Sequence, residues 1–202
     1  MIGAIYFSLS VFLLGFIQLG YNHFVDTISI LALGKYGWVQ TINFFILSIS
    51  VGCLGVGLGL FFYRKFWNSL TINFLFLSLC SVLIIFFKAD PIDGKKIKLV
   101  AFNSPEGYVH FIVAFLIILL ATWILWKVIK IFRTNKSTYY LARYTAWVAM
   151  INIVFGLLWY YCRRMGIGFE IKGLWQKGLA LNILIWVTVI SKWLTVQRDN
   201  KN

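Results

Sequence analysis

Acidic residues are scarce in this chain: six Asp and Glu stand against nineteen Lys and Arg among 202 residues. Charge of both signs amounts to 12% and apolar residues to 61%, whereas soluble domains carry ~25% and ~45–50%. Such a chain has too little polar surface to stay dissolved, which excludes a soluble globular domain. Cysteine is limited to Cys53, Cys80 and Cys162, an odd number without a C-x-x-C pair. A disulfide framework is therefore not expected, and all three are expected reduced and buried in helix packing. No basic n-region or A-x-A-like site accompanies the first apolar run, so that run is expected to remain as an anchor. Walker A, H-E-x-x-H and G-x-S-x-G motifs are missing, and no charged residue falls at mid-membrane depth. Nucleotide-driven pumping and proton-coupled transport lose their usual residues.

What is present is a succession of apolar runs. Crossing ~30 Å of hydrocarbon takes roughly 20 residues of helix, and six stretches qualify: 2–19, 38–62, 69–87, 109–126, 144–162 and 174–194. Backbone groups in lipid must pair within their own segment, and the alternation of a β-barrel is absent. The predicted fold is an all-α, six-helix transmembrane bundle forming one domain over residues 1–202, with a short interfacial helix after the first span. Trp38, Tyr63, Trp67, Tyr108, Trp159, Tyr160 and Trp193 lie near span ends, as interfacial anchors do.

The net charge of +13 is scattered between apolar runs and forms no basic helix stripe. Anionic lipid headgroups, and not nucleic acid, are the expected partners. Lys and Arg divide almost evenly between the two membrane faces. The densest short basic loops, 63–68 and 127–143, lie on the face that carries both termini, which is expected to be cytoplasmic in a cytoplasmic (inner) membrane. Asp26, Asp90, Asp93, Glu106 and Glu170 fall on the opposite face with both histidines, His23 and His110, leaving Asp199 alone on the terminal one.

Three segments of that face could carry chemistry. In Gly20–Gly34, Asp26 is a natural N-cap and Gly34 a natural C′ residue for the short helix. Across the turn Asp26 could instead orient the His23 imidazole or share a ligand with it. In Phe87-Lys-Ala-Asp90-Pro-Ile-Asp93-Gly94 the acids suit turns, or a hard cation such as Ca²⁺. In Ser104-Pro105-Glu106-Gly107-Tyr108-Val109-His110, Ser caps, Pro fits the first helical position, and Glu106 lies one turn from His110 on the same face. Glu106 could orient His110 as a base or ligand, or only complement the helix dipole. Arg163 and Arg164 at the end of the fifth span could grip a phosphate or snorkel to headgroups. Inside the spans, Gln18, Gln40, Asn43, Asn73, Asn152 and Asn182 read as interhelical glue, and Gly55-x-x-x-Gly59 as a close-packing face.

Two functional expectations follow. In one, a His/Asp pocket on the extracytoplasmic face binds a lipid, small ligand or partner protein, with Tyr21, Thr27, Asp90, Glu106, Arg163 and Arg164 as ligand-binding residues. In the other, a lipid hydrolase or transferase uses His23, Asp26, Asp90 and His110. His23, His110 and Asp90 would then hold Zn²⁺ or another divalent cation, and Ser29 or Thr27 would be the nucleophile.

The segments Tyr21-Asn-His23-Phe-Val-Asp26-Thr27-Ile-Ser29 with Gly34, Phe87-Lys-Ala-Asp90-Pro91 and Gly107-Tyr-Val-His110 resemble those of the domain-of-unknown-function family 998. The resemblance runs over nearly the whole chain. It implies a small six-span membrane protein and no particular reaction.

Overall fold

The computed structural model describes residues 1–90 and 104–199, with the side chains of all of these except Arg163, Arg164, Phe169 and Asp199. Asp93 and the lysines at 95, 96 and 98 lie outside the described residues. Among the described residues the structure is helical, without strands. It comprises α1 (Ile2–Ile17), α2 (Gly37–Tyr63), α3 (Ser69–Phe86), α4 (Pro105–Arg133), α5 (Tyr139–Met165) and α6 (Lys172–Asp199). A 3₁₀ turn, Ile28–Leu33, stands between α1 and α2.

The helix ends follow local chemistry. Asn68 opens α3 by accepting from Leu70 N and Thr71 N, each at 3.0 Å, so two orphan amides of the first turn are paired. Ser104 accepts from Gly107 N at 2.9 Å with Pro105 at the first position of α4, as its sequence predicts. Arg64 ends α2 in the left-handed conformation (φ 52°), and Gly166 ends α5 at φ 72°. The helices α4, α5 and α6 overrun their apolar stretches because basic and polar residues continue the helix past the hydrocarbon.

Five helices, α2 to α6, are long and apolar enough to cross a membrane, so this is a multi-pass membrane protein. The first helix is the exception to the expected lengths. It stops at Ile17, about 24 Å at 1.5 Å per residue, because Gln18 turns out of the helix (φ −84°, ψ 112°). The Gln18 side chain then covers Gly34. With its amide oxygen facing the segment it accepts from Gly34 N, and its nitrogen donates to Leu31 O, both at 3.3 Å.

Each helix packs on the next in chain order, α6 returns to α1, and α2 also touches α6. Leu58, Phe74, Ile124, Val128, Phe132 and Ile190 fill the centre, while residues such as Phe16, Phe86 and Leu157 face outward as a lipid-exposed shell. Gly55 and Gly59 form the expected close-packing face, and its partner is α3: a Cβ on either would overlap Phe74 or Thr71. Polar bonds join neighbouring helices. They run from Asn43 Nδ2 to Phe7 O (3.4 Å), Ser48 Oγ to Ser78 O (2.8 Å), Asn152 Nδ2 to Thr122 Oγ1 (3.0 Å) and Asn182 Nδ2 to Val148 O (2.9 Å). Two of the span-end aromatics also pack against neighbouring helices: Trp159 is buried, and the half-buried Trp193 stacks on Phe62 at 6.2 Å. Cys80 and Cys162 are buried and free, whereas Cys53, also free, is exposed on α2.

Candidate functional site

One end of the bundle gathers the segment before α2, the end of α3, the start of α4 and the start of α6. Asn22 begins this assembly. Its N–H donates to Asp26 Oδ2 at 2.8 Å, its carbonyl accepts from Asp26 N at 2.8 Å, and its side chain accepts from Phe24 N at 2.8 Å. Asp26 therefore closes a turn on Asn22 and does not cap the 3₁₀ turn, whose N-cap is Thr27, without a side-chain cap bond. Gly34 ends the 3₁₀ turn in an extended conformation (φ −86°), so its lack of a Cβ serves the Gln18 side chain pressed on it and not a left-handed cap.

The start of α6 holds this segment in place. Leu174 N donates to Phe24 O (3.2 Å), and Ile28 N donates to Gln176 Oε1 (2.8 Å). Lys177 Nζ donates to His23 O (2.9 Å) and Asp26 O (2.5 Å), with the Tyr21 ring 5.1 Å away. The Tyr21 hydroxyl faces the carbonyls of Asp26 and Thr27 at 3.4 Å. Burial, and secondarily the Asp26 charge, raises the Tyr21 pKa, so its phenol stays protonated. Gly173, Gln176 and Lys177 are the residues that reading the sequence missed. An adjacent Gln and Lys at the head of an otherwise apolar span were the available signal.

Docked this way, the 3₁₀ turn delivers Ser29 to α4. Ser29 Oγ lies 3.0 Å from His110 Nε2, and His110 Nδ1 lies 2.7 Å from Phe87 O. Ser29 and His110 are each 8% exposed. A carbonyl only accepts, so in the neutral imidazole Nδ1 carries the proton, Nε2 presents its lone pair, and the Ser29 hydroxyl donates to it. Beside the pair is a cavity of about 20 Å³ lined by Ser29, Thr41, Ile84, Ile85, Lys88 and His110, among others. That is room for about one water or one small polar group.

The other predicted site residues fall around this pair or away from it. Asp90 Oδ1 accepts from Ser104 Oγ at 2.6 Å, and the carboxylate occupies the space a Cβ on Gly107 would need, one turn before His110. Glu106 is exposed while His110 is buried with its nitrogens turned to Ser29 and Phe87, so Glu106 stands as a first-turn helix-dipole residue. Thr27 is buried next to the Tyr21 hydroxyl. Arg163 and Arg164 lie in the last turn of α5. His23 lies apart from Ser29 and His110 in its contacts. It packs on Gly15 and on the rings of Phe12, Phe16 and Tyr21, and its Nε2 is buried without a partner. Among the described residues no three of His, Cys, Asp and Glu are grouped to hold a metal ion, so His23, Asp90 and His110 do not form the expected ligand set.

Burial, and then the charge of Lys177, lowers the His23 pKa. The folded protein thus takes up this proton less readily than the unfolded chain. The stability His23 confers is complete above the ordinary value of about 6.5 and is lost as the pH falls through it toward the lowered folded value. Acidification should lower the thermal midpoint of the detergent-solubilised protein, and His23→Gln should reduce that acid dependence.

The family model described as "Protein of unknown function (DUF998)" matches residues 1–192. No curated protein and no solved structure matches the chain.

Proposed function

Because the chain belongs to the DUF998 family of membrane proteins, we propose that it crosses the cytoplasmic membrane six times, with α1 as the short sixth crossing. In this reading its extracytoplasmic end binds a lipid or small ligand through the cavity beside Ser29 and His110. The observation that carries it is the cavity itself, where a hydroxyl, an imidazole and Lys88 border the apolar side chains of Ile84, Ile85 and Phe44. At about 20 Å³ it admits one polar group of a ligand, the rest of which would stay outside it. The exposed Lys88 favours an anionic headgroup, and Arg163 and Arg164 add positive charge at the end of α5.

Six crossings put Arg64, Lys65, Lys127, Arg133, Lys136 and Arg143 at the other end. The positive-inside tendency makes that end cytoplasmic, facing anionic headgroups. Lys127 also ties α4 to α3 by donating to Ser69 Oγ at 2.6 Å.

Mass spectrometry of lipids retained by the detergent-purified protein, with thermal melts in added phosphatidylglycerol or phosphatidylcholine, tests the binding. Phosphatidylglycerol should be retained and raise the midpoint, and Lys88→Glu should weaken the effect about tenfold in lipid concentration. Equal response to both lipids, or to neither with no other ligand retained, would count against it.

A further inference from the structure

We infer that Ser29 is an activated hydroxyl nucleophile, with His110 as its base, that accepts an acyl group from a carboxylic ester of a membrane lipid. The inference rests on the reading that this end of the bundle takes a lipid. The hydroxyl's hydrogen bond sets it apart. Ser8, Ser50, Ser81, Thr122 and Thr188 each donate to the carbonyl four residues back, at 2.8–3.0 Å, the ordinary way an apolar helix satisfies a hydroxyl. Ser29 instead meets the Nε2 of a histidine 81 residues away. The Phe87 carbonyl fixes the tautomer that makes this nitrogen a base, the role a carboxylate has in a hydrolytic triad.

Three further features suit acyl transfer. The pair is nearly shielded from bulk water, where a base and a developing charge act more strongly. The cavity touching both residues has room for one small polar group, such as the carbonyl oxygen of an ester. Lys88 is among the residues lining it, and its ammonium is a cation that could turn toward an oxygen becoming negative.

In the reaction, Ser29 Oγ attacks the ester carbonyl carbon as its proton passes to His110 Nε2, and the carbonyl electron pair moves onto the carbonyl oxygen. Collapse breaks the bond to the alcohol, which leaves with the proton from Nε2, and the acyl group stays on Ser29. Water then gives a proton to Nε2 and attacks, releasing the carboxylic acid as the proton returns to Ser29 Oγ. An alcohol in place of water gives transfer. The proton on Nδ1 stays there throughout, donated in a hydrogen bond to the Phe87 carbonyl, so Phe87 is a positioning residue and Ser29 and His110 are catalytic.

A fluorophosphonate probe, which bonds covalently to activated serines, tests this on the full-length protein in detergent. The probe should modify Ser29, located by peptide mass spectrometry. His110→Gln should slow modification at least about 100-fold, and Ser29→Ala should abolish it with the thermal midpoint retained. If Ser29→Ala does not fold, Ser29→Cys should alkylate with iodoacetamide faster than the thiols already present, and lose that advantage in Ser29→Cys/His110→Gln. No modification, modification elsewhere, or a rate at Ser29 indifferent to His110 overturns the inference. Lipid retention without modification overturns it while leaving the binding reading standing.

Discussion

Gly173→Val should unfold the 18–36 segment from the bundle and lower stability by about 3 kcal/mol or more, seen as a fall in the thermal midpoint and in lipid retention. A Cβ at Gly173 would sit 2.5 Å from Asp26 O, 2.8 Å from Phe24 O and 2.9 Å from the Val25 carbonyl carbon. These are backbone atoms with no rotamer to yield, so the segment and α6 must separate. Overpacking costs about 1–3 kcal/mol. Separation also strains the bonds from Leu174 N to Phe24 O and from Ile28 N to Gln176, each worth about 1 kcal/mol. Gly156→Ala is the control. Its nearest neighbour would lie at 3.5 Å, and the change should stay within about 0.5 kcal/mol.

Lys177→Met should cost about 2–4 kcal/mol at the same junction by a different route. Methionine keeps much of the stem but removes the ammonium that joins the carbonyls of His23 and Asp26 beneath the Tyr21 ring. Hydrogen bonds from a charged donor contribute about 1.5–3 kcal/mol each, and partial exposure of Lys177 discounts that figure. Lys177→Arg should recover only part of the loss, because the planar guanidinium differs in reach and shape from a compact ammonium. Amide hydrogen exchange over residues 21–30 should rise in Lys177→Met and much less in Lys177→Arg. Both this variant and Gly173→Val should also slow phosphonate modification of Ser29, since the same junction holds the 3₁₀ turn against α4.

Elements governed by local chemistry were the legible part of this molecule. Apolar runs marked the helices because hydrocarbon thickness sets their length. Ser104-Pro105 marked the entry to α4 because a helix start needs its amides paired. Gly55 and Gly59 marked a close helix contact, though not its partner, because only a missing side chain admits Phe74 and Thr71 so closely. Ser29 and His110 were named from sequence, but as members of a larger set with His23, Asp26 and Asp90. Which of these meet depends on docking between segments far apart in the chain. Asp26 could cap, orient His23 or close on Asn22, and the third outcome follows from a turn that Lys177, 151 residues later, ties down through its carbonyls. Composition likewise hid the early end of α1, where Gln18 exchanges helix for a contact with Gly34. That Trp159 and Trp193 pack against neighbouring helices was not legible, because position along a span does not tell which side of the helix faces a neighbour.

Single cysteines give the most direct test of the central claim, that the end holding Ser29 and His110 lies outside the cell and the end with the 63–68 and 127–143 loops inside. Cys53, Cys80 and Cys162 are first replaced, and Asn22→Cys and Lys136→Cys are introduced separately at exposed positions of opposite ends. A membrane-impermeant maleimide added to intact cells should label position 22, and should label position 136 only after permeabilisation. Labelling of 136 but not 22, or of both from the same side, would contradict it.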